Sequence, residues 1–203
     1  MALLASSLIT VAQLKAYLLA SGLAAAEVQH DPLFEILIDG VSSAFDGAVG
    51  RALAKTTYTA VYFDGNGKED LVLPNYPVIS ITSIEEDGDA LTEGEDNDYQ
   101  IYAASGILKR NTGAWLKGSK TIKLTYIAGY TVQGATLVAG EIALPADLKL
   151  ACMIQVAREW KKAQGAEWGE TSRSFQDGSR SFVEKGLLKE VEDVLARYRR
   201  DFL

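Results

Sequence analysis

Apolar residues recur along this chain with two different periods, and the change of period divides it. In "TVAQLKAYLLASG" Val11, Leu14 and Leu18 fall on one helical face, Thr10 and Gln13 match a capping box, and Gly22 can end the helix. "HDPLFEILIDGVSSAFDGAVGRAL" predicts a second helix, with Asp31 as N-cap, Pro32 at the first helical position and Phe34, Ile38, Val41, Phe45 and Val49 on one side. His30 then falls in the loop ahead of the cap. Gly40, Gly47 and Gly50 each weaken that helix by roughly 1 kcal/mol relative to Ala. Such a cost points to close packing against a neighbour, within the chain or between chains.

From Thr56 to Thr131 the period is two. "TTYTAVYF" runs into Asp64-Gly65-Asn66-Gly67, a hairpin signal, and "EDLVL" follows. "PVISITSIEEDG", "DYQIYAASGILKR" and "KTIKLTYIAGY" read as further strands of a small antiparallel sheet. Helical spacing returns in "LPADLKLACMIQVAREWKK", where Leu148, Leu150, Cys152, Met153, Ile154, Val156 and Trp160 leave it apolar nearly all round, the mark of a core helix. "GAEWGETSRSFQDGSRSFVEKG" has no period. A last helix carries Leu187, Val191, Val194, Leu195, Tyr198 and Phe202 on one stripe.

The fold class expected is therefore α+β and mainly helical, a bundle of about four helices with a small antiparallel β-insert between helices 2 and 3. The expected organisation is a helical core with its insert (about 56–131) over 1–164, a mobile linker over 165–186, and a C-terminal helix over 187–203.

Composition narrows the function. With 48% hydrophobic and 23% charged residues the 203-residue chain is ordinary for a globular protein, and a chain this long buries ~70% of its unfolded surface without needing disulfides or metals. The single Cys152 excludes an internal disulfide and suits a reducing compartment. No apolar run is long enough to span a bilayer, and "MALLASSLIT" lacks the basic flank of a signal peptide, so no membrane partner is expected. A net charge of −7 argues against a protein that grips nucleic acid phosphates over a broad face.

Candidate chemistry is sparse. His30 is the only histidine, and Cys152 sits in an apolar helix with no cation nearby to activate it. "DGNGKED" offers Asp64, Asn66 and Asp70, but Lys68 stands where a calcium ligand is wanted and Asn75 where a bidentate Glu is needed. The Gly65 and Gly67 turn precedes no helix and forms no phosphate cradle. No motif requires a cofactor, and no catalytic or metal residues are assigned. The acidic run Glu85, Glu86, Asp87, Asp89, Glu93, Glu95, Asp96 and Asp98 reads either as a solvated turn and loop or as a functional acidic surface.

The order of the elements is more specific than any one of them. "ITVAQLKAYL", "LVLPNYPVISITSIEEDG", "DYQIYAASGILKR", "LTYIAGY" and "LPADLKLA" together resemble the head–tail connector (adaptor) proteins of tailed bacteriophages, from about Ile9 to Trp160. The resemblance implies a non-enzymatic virion protein of the neck, present in the host cytoplasm during assembly. It implies a homo-oligomeric ring of about twelve copies through which DNA passes without specific binding, with the portal protein on one side and tail or stopper proteins on the other. On that reading the acidic run is a candidate DNA-repelling loop. Trp168, Arg173, Phe175, Arg180 and Phe182 in the long polar segment, with Arg197, Arg199 and Arg200 beyond it, are candidate partner-binding residues. Three large apolar side chains are few for so long a segment, so its ordering is expected to come from partner contacts. The rival reading is a stand-alone nucleic-acid-binding or regulatory module, which the acidic charge disfavours.

Overall fold

Thr10 starts the first helix as its side chain dictates. In the computed structural model, which describes residues 3–20, 30–132, 137–165, 172–175, 178–181 and 186–200, the Gln13 amide N–H donates to Thr10 Oγ1 (3.0 Å) and the Thr10 N–H donates to Gln13 Oε1 (3.1 Å), a reciprocal capping box. Helix α1 (Val11–Ala20) buries Leu14 and Leu18. Gly22 lies outside the described residues.

Helix α2 (Asp31–Val49) buries Phe34, Ile38, Val41, Phe45 and Val49, the face read from the sequence. Its N-cap is His30 rather than Asp31, and no side chain caps it there. His30 is thus the cap itself rather than a loop residue ahead of it, and its ring meets Trp160 edge-on at 4.8 Å and Phe34 at 6.3 Å. Gly50 ends α2 in the left-handed region (φ 78°), donating its N–H to Asp46 O. No atom of the described chain lies within 4 Å of where a Cβ on Gly40 or Gly47 would sit. The close neighbour expected at these glycines is therefore not another described part of this chain.

Helix α3 (Ala146–Gly165) buries Leu148, Cys152, Val156 and Trp160, while Leu150 stays 45% exposed. Two short strands, β8 (Ser172–Phe175) and β9 (Gly178–Ser181), pair antiparallel within the segment expected as a linker. The rest of that segment up to Gly186 lies outside the described residues. Helix α4 (Lys189–Ala196) buries Val191 and Leu195 and is shorter than its apolar stripe. Residues 1–50 and 145–203 form one compact unit containing these helices.

Residues 51–144 form the second unit. Strands β1 (Thr56–Gly65), β7 (Gly118–Ala128), β3 (Val78–Glu86) and β4 (Asp89–Ala90) make a four-stranded sheet in the order β1-β7-β3-β4. Strands β2 (Asp70–Val72), β6 (Ile107–Arg110) and β5 (Tyr99–Tyr102) make a three-stranded sheet in the order β2-β6-β5. Both are antiparallel, and both contribute to one core in which Leu71, Tyr99 and Leu108 meet Ile84, Leu124 and Tyr126.

Two expectations are corrected here. The fold is not a mainly helical bundle with a small insert: the β-unit occupies nearly half the chain, with a core of its own. Nor do β1 and β2 form a hairpin across Asp64–Gly67. β1 pairs with β7 and β2 with β6, because each finds its partner through the face it buries rather than through the nearest turn.

Substitution at two glycines should separate their roles. Gly40→Ala meets open space at an ordinary helical φ, so thermal unfolding should show a gain of roughly 0.5–1 kcal/mol. Gly129 has φ +106° and its Cβ would stand 2.5 Å from the Ala54 carbonyl oxygen, so Gly129→Ala should cost roughly 3 kcal/mol or more.

Candidate functional site

The acidic run separates into residues that build the fold and residues that face solvent. Glu86 is enclosed: its side chain is 10% exposed, it pairs with the Arg110 guanidinium, and its Oε1 accepts the Leu116 N–H at 2.7 Å. Arg110 lies over the Trp115 ring, 5.1 Å from its centroid. Glu85 pairs with Lys123 at 3.2 Å across neighbouring strands, a half-exposed contact worth little. Asp98 Oδ2 accepts the Thr92 N–H at 2.8 Å and closes the loop that follows β4. Asp87 and Gly88 both have positive φ and make the tight turn from β3 to β4. Asp87, Asp89, Glu93, Glu95 and Asp96 remain exposed.

That loop is held from behind by a residue the sequence did not single out. The Asn111 side-chain amide donates to the carbonyls of Gly94 (2.7 Å), Glu95 (3.0 Å) and Asn97 (2.9 Å). Burial, reinforced by Glu93 and Asp98, pushes the Tyr99 hydroxyl up to about 12. Two of the oxygen donors in the Asp64–Asp70 turn are spent in the same way. Asp64 Oδ1 accepts the Lys120 N–H at 2.7 Å, and the Asn66 side chain bonds the Lys68 N–H and the Asp70 carbonyl.

Glu141 fixes a second loop. Its side chain, 5% exposed, pairs with Lys55 and accepts from Thr131 Oγ1 at 3.0 Å and the Val138 N–H at 3.3 Å. These bonds hold its carboxyl below the usual glutamate range, the Lys55 contact most of all. Around it the apolar residues Leu137 (52%), Val138 (65%) and Ile142 (43%) point outward.

In the helical unit, α3 positions the chain leading to α4. Buried Gln155 accepts the Leu188 N–H at 3.0 Å, and the Arg158 guanidinium donates to the Gly186 carbonyl at 2.7 Å. Asp147 accepts the Tyr198 hydroxyl at 2.6 Å and pairs with Arg197 at 3.2 Å. Of the expected partner-binding residues, Arg197 therefore already has a partner, and Arg199 and Arg200 follow it beyond α4. Arg173, Phe175 and Arg180 occupy β8 and β9, with Arg173 opposite Arg180 in register. Trp168 and Phe182 lie outside the described residues. Cys152 is buried, which raises its thiol to about 12 despite a hydrogen bond with Ser42. Among the described residues, no three His, Cys, Asp or Glu side chains gather as a metal group, and no helix is long and apolar enough to cross a membrane.

These features define a two-unit α+β chain in which many polar side chains fix turns, loops and helix ends. The chain belongs to the head completion protein family, whose model matches residues 7–201. The fold is similar to that of chains in three solved structures of gene transfer agent (GTA) particles. They are the neck of an empty particle computed with C6 symmetry (TM-score 0.57, 17% identity), the neck of a native particle computed with C12 symmetry (0.54, 16%) and the virion of a native particle (0.56, 15%). Each match covers 100% of this chain and 94% of the other. No protein of curated function matches the sequence. The family membership bears out the structural head–tail connector role that the resemblance implied.

Glu86→Ala leaves a mostly enclosed Arg110 without its carboxylate and should cost roughly 2–4 kcal/mol in chemical denaturation. Amide replacement at Asp87, Asp89, Glu93, Glu95 and Asp96 should each stay within about 0.5 kcal/mol. Glu141, whose folded-state carboxyl is depressed, contributes stability that is present above the ordinary glutamate range and lost as pH falls through the depressed value. The stability difference between wild type and Glu141→Gln, followed by denaturant titration against pH, should therefore shrink on acidification. A difference that does not change with pH would show that the ionised carboxylate is not what holds the loop.

Proposed function

We propose that this protein is a non-enzymatic structural subunit of the virion neck, assembling about a dozen copies into a ring that DNA crosses. The observation that carries this reading is the family match over nearly the whole chain. The likeness to neck chains of particles computed with sixfold and twelvefold symmetry supports the ring. On this reading one ring face meets the portal protein and the other meets tail or stopper proteins. The exposed carboxylates Asp87, Asp89, Glu93, Glu95 and Asp96 form a surface that a polyanion slides past without adhering, and the net charge of −7 agrees with it.

Electron microscopy of the purified protein, alone at high concentration and with portal protein, should show closed rings with a central channel. Monomers or closed dimers under every condition would reject the proposal. Retention on a DNA column at physiological salt would instead favour a nucleic-acid-binding module.

A further inference from the structure

The helical unit carries an open, largely apolar groove of ≈ 330 Å³. It is lined by Ile36, Leu37, Gly40 and Ala44 of α2, by Glu159 of α3 and by Leu187, among others. Ile36 is 54% exposed, and no described atom lies within 4 Å of where a Cβ on Gly40 would sit. An apolar concavity walled by small and aliphatic residues is a receptor for aliphatic side chains.

The β-unit carries the converse shape. In the 137–142 loop the usual arrangement is inverted, with the carboxylate of Glu141 turned inward and Leu137, Val138 and Ile142 turned out. The Glu141 N–H donates to the Val138 carbonyl at 3.0 Å across a turn in which Gly140 has φ +87°. The Thr131 N–H donates to the Ile142 carbonyl at 2.8 Å. The apolar tip is thus preorganised before it meets anything, which lowers the entropic cost of docking.

We propose that the occupant of the groove is a second copy of this chain, whose Leu137–Ile142 loop inserts against Ile36, Leu37 and Gly40. Knob and hole belong to different units of one chain. Joining them between copies is a heterologous, head-to-tail contact, the type that generates a ring when its rotation closes. Gly40 and Ala44 then have a purpose that the isolated subunit does not give them, since their small size leaves room for the incoming side chains. This inference rests on the ring reading above and names the contact that closes it.

Disulfide trapping tests it. Ile36→Cys and Val138→Cys are prepared singly and together, with buried Cys152 left in place. Under mild oxidation of assembled protein, the double variant should give a ladder of linked copies on denaturing gels, and an equal mixture of the single variants should give linked dimers only. Gly40→Leu, which fills the groove, should leave the monomer folded by circular dichroism while raising the concentration needed for ring formation at least tenfold. Val138→Ser should do the same from the other side. Rings that form without trapping, and that tolerate Gly40→Leu, would overturn the inference and leave the ring reading standing. A link confined to single chains would overturn it in favour of docking within the chain. Absence of rings altogether would overturn both.

Discussion

Three stretches of backbone converge at Gly129, closer than any side chain there would allow. The Gly129 N–H donates to Pro77 O at 2.8 Å, the Tyr130 N–H to Leu53 O at 2.7 Å, and the Lys55 N–H to Tyr130 O at 2.8 Å. The chain entering the β-unit, the start of β3 and the end of β7 are therefore fixed to one another at a single point. Above it the guanidinium of buried Arg51 lies over the Tyr76 ring at 3.7 Å, with the Tyr130 ring at 5.8 Å, and its Nη1 donates to the Tyr76 carbonyl. The four-stranded sheet is tied to that anchorage. β7 leaves it between β1 and β3, and alternation places Leu124 and Tyr126 in the core, where Tyr126 stacks on Tyr58 at 4.9 Å and its hydroxyl accepts from Asn75 at 3.1 Å. Next to that anchorage, Thr131 is bonded to the loop that Glu141 holds, its N–H donating to Ile142 O at 2.8 Å.

Local signals were the legible ones. The capping box at Thr10 and the buried face of α2 involve residues a few positions apart, and spacing alone reveals them. The alternation in "KTIKLTYIAGY" likewise marked β7. What spacing could not show was pairing between distant segments. β1 and β2 flank a good turn sequence yet belong to different sheets, because burying the correct face of each strand outweighs a short connection. The size of the β-unit was underestimated for the same reason. Its core joins two sheets, and neither sheet is visible until distant strands are brought together.

The acidic run shows the same limit at the level of side chains. Eight carboxylates in fourteen residues look equivalent in the sequence, but their roles are set by what arrives from elsewhere. Arg110 and Lys123 come from other strands to claim Glu86 and Glu85, and Asn111 supplies the bonds that shape the 94–97 backbone. An isolated Asn in a strand-ending position carries no spacing signal, so its role was not readable in advance. Glu141 escaped notice for the same reason: its partners Lys55 and Thr131 are unremarkable until the fold places them beside it.

One device recurs across both units: a polar side chain bonds the backbone of a distant segment and fixes its path. Gln155 and Arg158 do this for residues 186–188, Asn111 for 94–97 and Asp64 for Lys120, while Glu141 bonds Val138 within its own loop and is itself held by Lys55 and Thr131. A loop shaped by its own side chains must reserve those side chains for the purpose. A loop shaped from behind has its outward residues free, because they contribute little to holding its conformation. The two exposed loops use this freedom in opposite ways. Asn111 supports a surface of carboxylates, which favours separation from other anions, while Glu141 supports one of aliphatic side chains, which gains free energy only when covered. An assembling subunit needs both kinds of surface. Enclosing the carboxylate of Glu141, at some cost in desolvation, keeps the aliphatic tip in the shape a docking partner would meet.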